Sequence, residues 1–188
     1  MKSNEKKFLK DLNKFFKKIK IKKDKIIVFQ TDVIPTAIFY KLNGKFVSKT
    51  IFKQIEKNFD NKTILFPAFS NDFVKKKNYD IFLSKPYTGI IPNLALKSKN
   101  YQRTESPLHS FLIKGPQTKL VMSLKQKTTW GAGSVFNWLY ENKARWISFN
   151  LELNRGCAIH HMSEEIAKVP YRFFKIFNGK IYANRKLL

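Results

Sequence analysis

The sequence predicts an α/β protein with a central sheet, and three observations lead to it. The short apolar run Ile26-Ile27-Val28-Phe29 and the stretch Thr63-Ile64-Leu65-Phe66 have the character of buried strands. Segments with helical apolar spacing alternate with such runs along most of the chain, which is the pattern of helices layered on a sheet. No internal repeat and no linker-like stretch divides the 188 residues, a length that suits one core, so residues 1–188 read as a single domain.

The elements follow in order. Phe8, Leu9, Leu12, Phe15, Phe16 and Ile19 recur at helical spacing between Glu5 and Lys20 with lysines elsewhere, so residues 1–24 form an N-terminal basic amphipathic helix with its charged turn. The first strand then ends in the polar triplet Gln30-Thr31-Asp32, the place where open α/β sheets put their sites. A helix from Ser48 to Asn58 takes Ser48 as its N-cap, and the second strand leads into Pro67-Ala68-Phe69-Ser70. Asn71 to Pro86 reads as a long irregular segment. Thr88 caps a short helix through Leu96, and a strand from His109 to Lys114 stops at Gly115-Pro116. Ser134 caps a helix through Tyr140, Arg145 to Leu151 forms a strand, and His160-His161-Met162-Ser163-Glu164-Glu165 opens the next helix.

Composition narrows the class. A 43% hydrophobic content with eighteen phenylalanines excludes global disorder in spite of a net charge of +24. The single Cys157 cannot form an internal disulfide, no apolar run reaches the roughly 20 residues of a membrane span, and no signal-peptide core is present. These features predict a soluble cytoplasmic protein without a membrane span. Thirty-seven basic residues against thirteen acidic ones create a field that attracts polyanions, although Lys, Asn, Ile and Phe abound together as AT-rich coding sequence would produce.

The His/Glu segment concentrates acid/base chemistry. On a helix, residues three and four apart share a face, so His161 meets Glu164 or Glu165 and His160 meets Glu164. Imidazole titrates near neutral pH and a carboxylate fixes its tautomer, which suits a general base. Spacing alone equally fits an ordinary surface helix pair contributing roughly 0.2–0.5 kcal/mol. A metal site is disfavoured: the HExxH order is absent and no second ligand cluster lies nearby in sequence. Cys157 beside these histidines is an alternative nucleophile, and a small core residue otherwise.

Several separated segments resemble one family, the coenzyme A-dependent aminoglycoside 3-N-acetyltransferases and their relatives in surface-polysaccharide biosynthesis. Gln30-Thr31-Asp32 resembles that family's His-Ser-Ser or His-Ser-Asp triplet, and Phe66-Pro67-Ala68-Phe69-Ser70 its Met-Pro-Thr-Phe-Thr turn. Ser84 to Pro92 resembles a Thr-Pro-Ser segment followed by Gly and Pro, and Arg103 to Ser110 resembles Arg-Ser-x-His-Pro-x-His-Ser. Gly131, Gly133 and Ser134 match a Gly-x-Gly-Ser turn, His161 and Glu164 match His-x-x-Glu, and Val169-Pro170-Tyr171-Arg172 follows as in the polysaccharide-type members.

The resemblance implies a three-layer α/β/α sandwich with a central mixed sheet. It also implies an N-acetyltransferase that uses acetyl-CoA and no metal to acetylate an amine of an amino sugar. His161 is then the general base and Glu164 its orienting partner, while Thr31, Arg103, His109 and Ser110 contact the cofactor. The charge balance favours a phosphorylated, nucleotide-linked or lipid-linked amino sugar over a polycationic aminoglycoside. Gln30, Ser106 and Asn93 depart from the family's His, first His of His-Pro-x-His, and acidic residue. Relatives usually continue further beyond Gly179-Lys180, so a shortened, non-catalytic relative is one alternative. A basic nucleic-acid-binding module, with Trp130, Trp138 and Trp146 as stacking groups, is the other. Neither the acceptor nor the oligomeric state is fixed by the sequence.

Overall fold

A computed structural model describes residues 2–19, 23–152 and 158–188. Its centre is a five-stranded mixed sheet in the order β4-β5-β2-β1-β6. β1 (Ile26–Thr31) pairs in parallel with both β2 (Thr63–Pro67) and β6 (Arg145–Phe149). β5 (Phe111–Lys114) runs antiparallel to β2, and the two-residue β4 (Gln102–Arg103) antiparallel to β5.

Alternation along the strands divides the core between the two faces. Ile27, Phe29, Ile64, Phe66, Leu112 and Ile147 enter one cluster, under α1 (Ser3–Lys18), α3 (Gly44–Asn58) and α5 (Ile90–Leu96). Ile26, Val28, Leu65, Phe111 and Ile113 enter the other, under α6 (Thr118–Met122), α7 (Val135–Glu141) and α8 (His160–Ile166). This is the expected three-layer sandwich, and β1 is buried along its whole length because both faces are covered. α2 (Ile34–Phe39) follows β1 directly.

Several boundaries move from their sequence positions. α3 starts four residues before Ser48, because the Asn43 side chain accepts from the Lys45 and Phe46 N–H groups and caps it. Ser48 lies buried inside the helix and donates to the Lys45 carbonyl. Gly89 takes the cap position of α5 at φ +113°, and the Thr88 hydroxyl instead donates to the Pro67 carbonyl. Ser134 caps α7 as expected, accepting from Asn137 N–H at 3.1 Å. β1 runs through Thr31, so Gln30 and Thr31 are its last residues rather than a loop. β6 ends at Phe149, two residues before the expected Leu151.

The stretch read as irregular between Asn71 and Pro86 holds α4 (Phe73–Lys76) and β3 (Asn78–Asp80). β3 joins β7 (Lys180–Ala183) and β8 (Lys186–Leu187) in a second, three-stranded sheet over Phe73, Tyr79 and Ile81. At the β5–α6 turn, Gly115 sits at φ +118° with its Cα so close to Lys62 that a Cβ would meet that residue's carbonyl oxygen at 2.2 Å.

Candidate active site

α8 presents the acid/base pair. Met162, 2% exposed, anchors the helix in the second core cluster and leaves the residues around it at the layer's edge. His161 Nδ1 lies 3.0 Å from Glu164 Oε2 across one turn, with the imidazole side chain 40% exposed. Arg172 Nε donates to the same carboxylate oxygen at 2.5 Å, and the Tyr171 hydroxyl to Oε1 at 3.4 Å. Hydrogen bonds from His161 and Arg172 hold the Glu164 carboxyl down at about 2, well below the usual carboxylate range.

Arg172 Nη2 also abuts His161 Nδ1. A guanidinium only donates, and a ring nitrogen carries a proton or a lone pair but not both, so the two contacts at Nδ1 are alternatives. Donation from Nδ1–H to Glu164 leaves the Nε2 lone pair free, which is the state a base requires. His160 is exposed with its ring 4.4 Å from that of His161, while Glu165 lies over Gly131.

Behind the pair stands Trp130, its ring centroid 5.5 Å from His161 and 4.9 Å from His109. His109 therefore belongs to the same cluster, wedged between Trp130 and Phe69, and its Nδ1 is buried without a hydrogen-bond partner among the described residues. Burial, followed by the proximity of His161, pushes its pKa down to about 4. The sequence offers Trp130 only as a stacking group for nucleic acid or as core, and its place beside the histidines is signalled only by its position one residue before the Gly-x-Gly-Ser turn.

The other expected ligand contacts are placed differently. Arg103 is 2% exposed and its fork is fully engaged by the protein. It donates to Ser110 Oγ at 3.1 Å, Ala68 O at 2.5 Å and Ser70 Oγ at 2.8 Å, contacts the Ser84 carbonyl, and lies over the Tyr79 ring. Ser110 in turn donates to Ala68 O at 2.6 Å. These two residues tie the ends of β2 and β5 to the loop at Ser84, so their polar atoms face protein acceptors rather than open space. Thr31 Oγ1 is buried without a hydrogen-bond partner among the described residues, but strand alternation sends Thr31 with Phe29 toward the first core face. Gln30 shares parity with Val28 and so faces the layer of His109 and His161, with its Nε2 unpartnered among the described residues. Cys157 lies outside the described residues.

A cleft of about 1290 Å³ opens beside Glu164 and Trp130. Its walls are the 104–108 and 124–130 loops, α8 and the 168–177 segment, and Lys125, Lys127 and Lys168 are among its cations. Trp138 is buried in the second core cluster and Trp146 packs partly buried against it. Among the described residues no three His, Cys, Asp or Glu side chains converge as a metal site, and no helix is long and apolar enough to cross a membrane.

The family model of the aminoglycoside 3-N-acetyltransferases matches residues 39–185. A comparison with curated protein sequences finds no match. Among solved structures, aminoglycoside acetyltransferase AAC(3)-IIb superposes with a TM-score of 0.69 at 13% identity, covering 86% of this chain and 65% of its own. AAC-IIIb in a binary complex with CoASH gives 0.70 at 16% identity, with the same 86% and 65% coverage. AAC-VIa bound to sisomicin gives 0.69 at 12% identity, covering 97% of this chain and 70% of its own. These are likenesses of fold, and the chain spans about 65% of the length of the first two proteins.

Proposed function

Because the chain belongs to the aminoglycoside 3-N-acetyltransferase family, we propose that it transfers an acetyl group from acetyl-CoA to an amine of an amino sugar, with His161 as general base. The observation that carries this reading is the 3.0 Å contact between His161 and Glu164, whose carboxylate lines the large cleft. An amine attacks a thioester only through a free lone pair, so its proton must be received within hydrogen-bond reach. In the proposed step the acceptor nitrogen bonds to the acetyl carbon as the carbon–sulfur bond breaks. The amine proton passes to His161 Nε2, Glu164 stabilises the resulting imidazolium, and the imidazolium gives that proton to the departing thiolate. No acyl-enzyme is required.

The fold neighbours that carry CoASH and sisomicin support the two substrate classes. Within this chain, five cations, Lys125, Lys127, Lys168, Arg172 and Lys175, line the cleft against the carboxylates of Glu105, Glu164 and Glu165. That balance suits phosphate groups, first those of coenzyme A and then those of a phosphorylated or nucleotide-linked amino sugar. Lys125 and Lys127 replace Arg103 as the proposed phosphate contacts, because the Arg103 fork is occupied. A cytoplasmic location, with its supply of acetyl-CoA, is part of the same proposal.

Thiol release with acetyl-CoA and a panel of aminoglycosides and nucleotide-linked amino sugars tests the proposal. His161→Ala is expected to lower turnover by about 10²- to 10⁴-fold, the usual contribution of a positioned base. Undiminished activity in His161→Ala removes the base. Absence of turnover with every acceptor, together with no thermal shift by acetyl-CoA, favours a non-catalytic relative.

A further inference from the structure

Phe173, Phe174 and Ile176 stand on the lip of the cleft and Tyr171 just before them, in a segment without helix or strand; Tyr171, Phe173, Phe174 and Ile176 are 68%, 84%, 76% and 86% exposed. Four large apolar side chains in six residues form a contiguous patch of the kind that marks an interaction surface. Lys168, Lys175 and Lys180 flank them, and no acidic residue lies between Lys168 and Lys180. Arg172, in their midst, turns inward to Glu164, which leaves Lys175 as the exposed cation within the 171–176 segment.

We propose that residues 171–176 dock this protein on an anionic lipid bilayer, with the aromatic and aliphatic side chains entering the headgroup boundary and the flanking lysines meeting lipid phosphates. Peripheral binding of this kind joins buried apolar area to attraction by anionic lipids, and both parts are present in one short segment. Charge complementarity selects the bilayer over other partners. A second copy of the chain would bring the same three lysines, and a net charge of +24, against themselves. A nucleic acid would meet the lysines but leave Ile176 without a role, since stacking needs a ring. The inference concerns the surface and stands whether or not the cleft performs acetyl transfer.

Flotation of the full chain with vesicles of phosphatidylcholine alone, or of equal parts phosphatidylcholine and phosphatidylglycerol, tests the docking. Binding is expected only to the anionic vesicles. The triple variant Phe173→Ser, Phe174→Ser, Ile176→Ser is expected to weaken it by about tenfold or more, because the apolar insertion is lost. Replacing Lys45, Lys49, Lys53 and Lys57 on α3 by Gln is expected to weaken it less. Three outcomes overturn the proposal: no binding to anionic vesicles, equal binding by the triple variant, or a wild-type dimer that the triple variant turns into a monomer. Quenching of Phe174→Trp fluorescence by bromine-labelled acyl chains gives a readout independent of the triple variant's folding, and its absence equally overturns the idea.

Discussion

His109 makes the second core cluster sensitive to pH. Its ring is enclosed by Phe69 and Trp130, and burial holds its pKa down at about 4 against the ordinary 6.5. Between those values the unfolded chain binds a proton that the folded one refuses, so stability is full above pH 6.5 and falls as pH drops toward 4. The loss amounts to about 3 kcal/mol at 1.36 kcal/mol per pKa unit. Urea midpoints measured across that window are expected to slope for the wild type and to flatten for His109→Phe. Glu164 acts in a lower window with the same sense. Its carboxyl is held at about 2 against 4.5, so the His161 and Arg172 bonds stabilise the fold above pH 4.5 and that contribution is lost as pH falls toward 2. Melting temperatures of the wild type and Glu164→Gln are expected to converge across that lower window, while remaining offset at neutral pH.

Helix ends show how local a signal must be to be read from sequence. Ser134 was legible as a cap because it immediately precedes an apolar helical run, and it does accept from Asn137 N–H. Ser48 met the same criterion but sits inside α3, since Asn43 five residues earlier competes for the role and Gly44 to Val47 continue the helix. Asn43→Ala is therefore expected to cost about 1 kcal/mol in urea denaturation, the typical loss of an N-cap. Asn43→Gly is expected to cost only a few tenths. Strands β1, β2 and β5 were legible as apolar runs, and His161 with Glu164 as an i,i+3 pair, because each signal lies within a few residues. The small sheet was not, since β3 gains its identity only by pairing Tyr79 with Ile181, about a hundred residues away. The same limit explains Thr31: in a strand buried on both faces every residue is equally apolar in its setting, so the sequence does not say that Gln30 rather than Thr31 faces the histidines. Arg172 escaped as a partner of Glu164 because a turn after α8, and no helical period, returns it there.

At the scale of the whole molecule, electrostatic self-repulsion opposes the packing that holds the sandwich together. A net charge of +24 is distributed over 188 residues. Among the described residues, ion pairs join Lys76, Lys114, Arg145 and Arg172 to carboxylates, and all four pairs are partly open to solvent. On α3 the exposed Lys45, Lys49, Lys53 and Lys57 follow one another at i,i+4, where each like-charge neighbour costs about 0.2–0.5 kcal/mol in an isolated helix. Such terms fade as the screening length shortens, from about 30 Å at 0.01 M salt to about 8 Å at 0.15 M. The melting temperature is therefore expected to climb with sodium chloride over that range, whereas sucrose, which strengthens burial without screening, should not reproduce the steep early rise. Lys49→Gln with Lys53→Gln is expected to raise stability by about 0.5–1 kcal/mol at the low-salt end and to reduce the salt response, because it removes all three neighbouring repulsions on that face. A melting temperature that stays flat between the two salt concentrations would show that the apolar layers above and below β1 and β2, rather than charge, limit the stability of this protein.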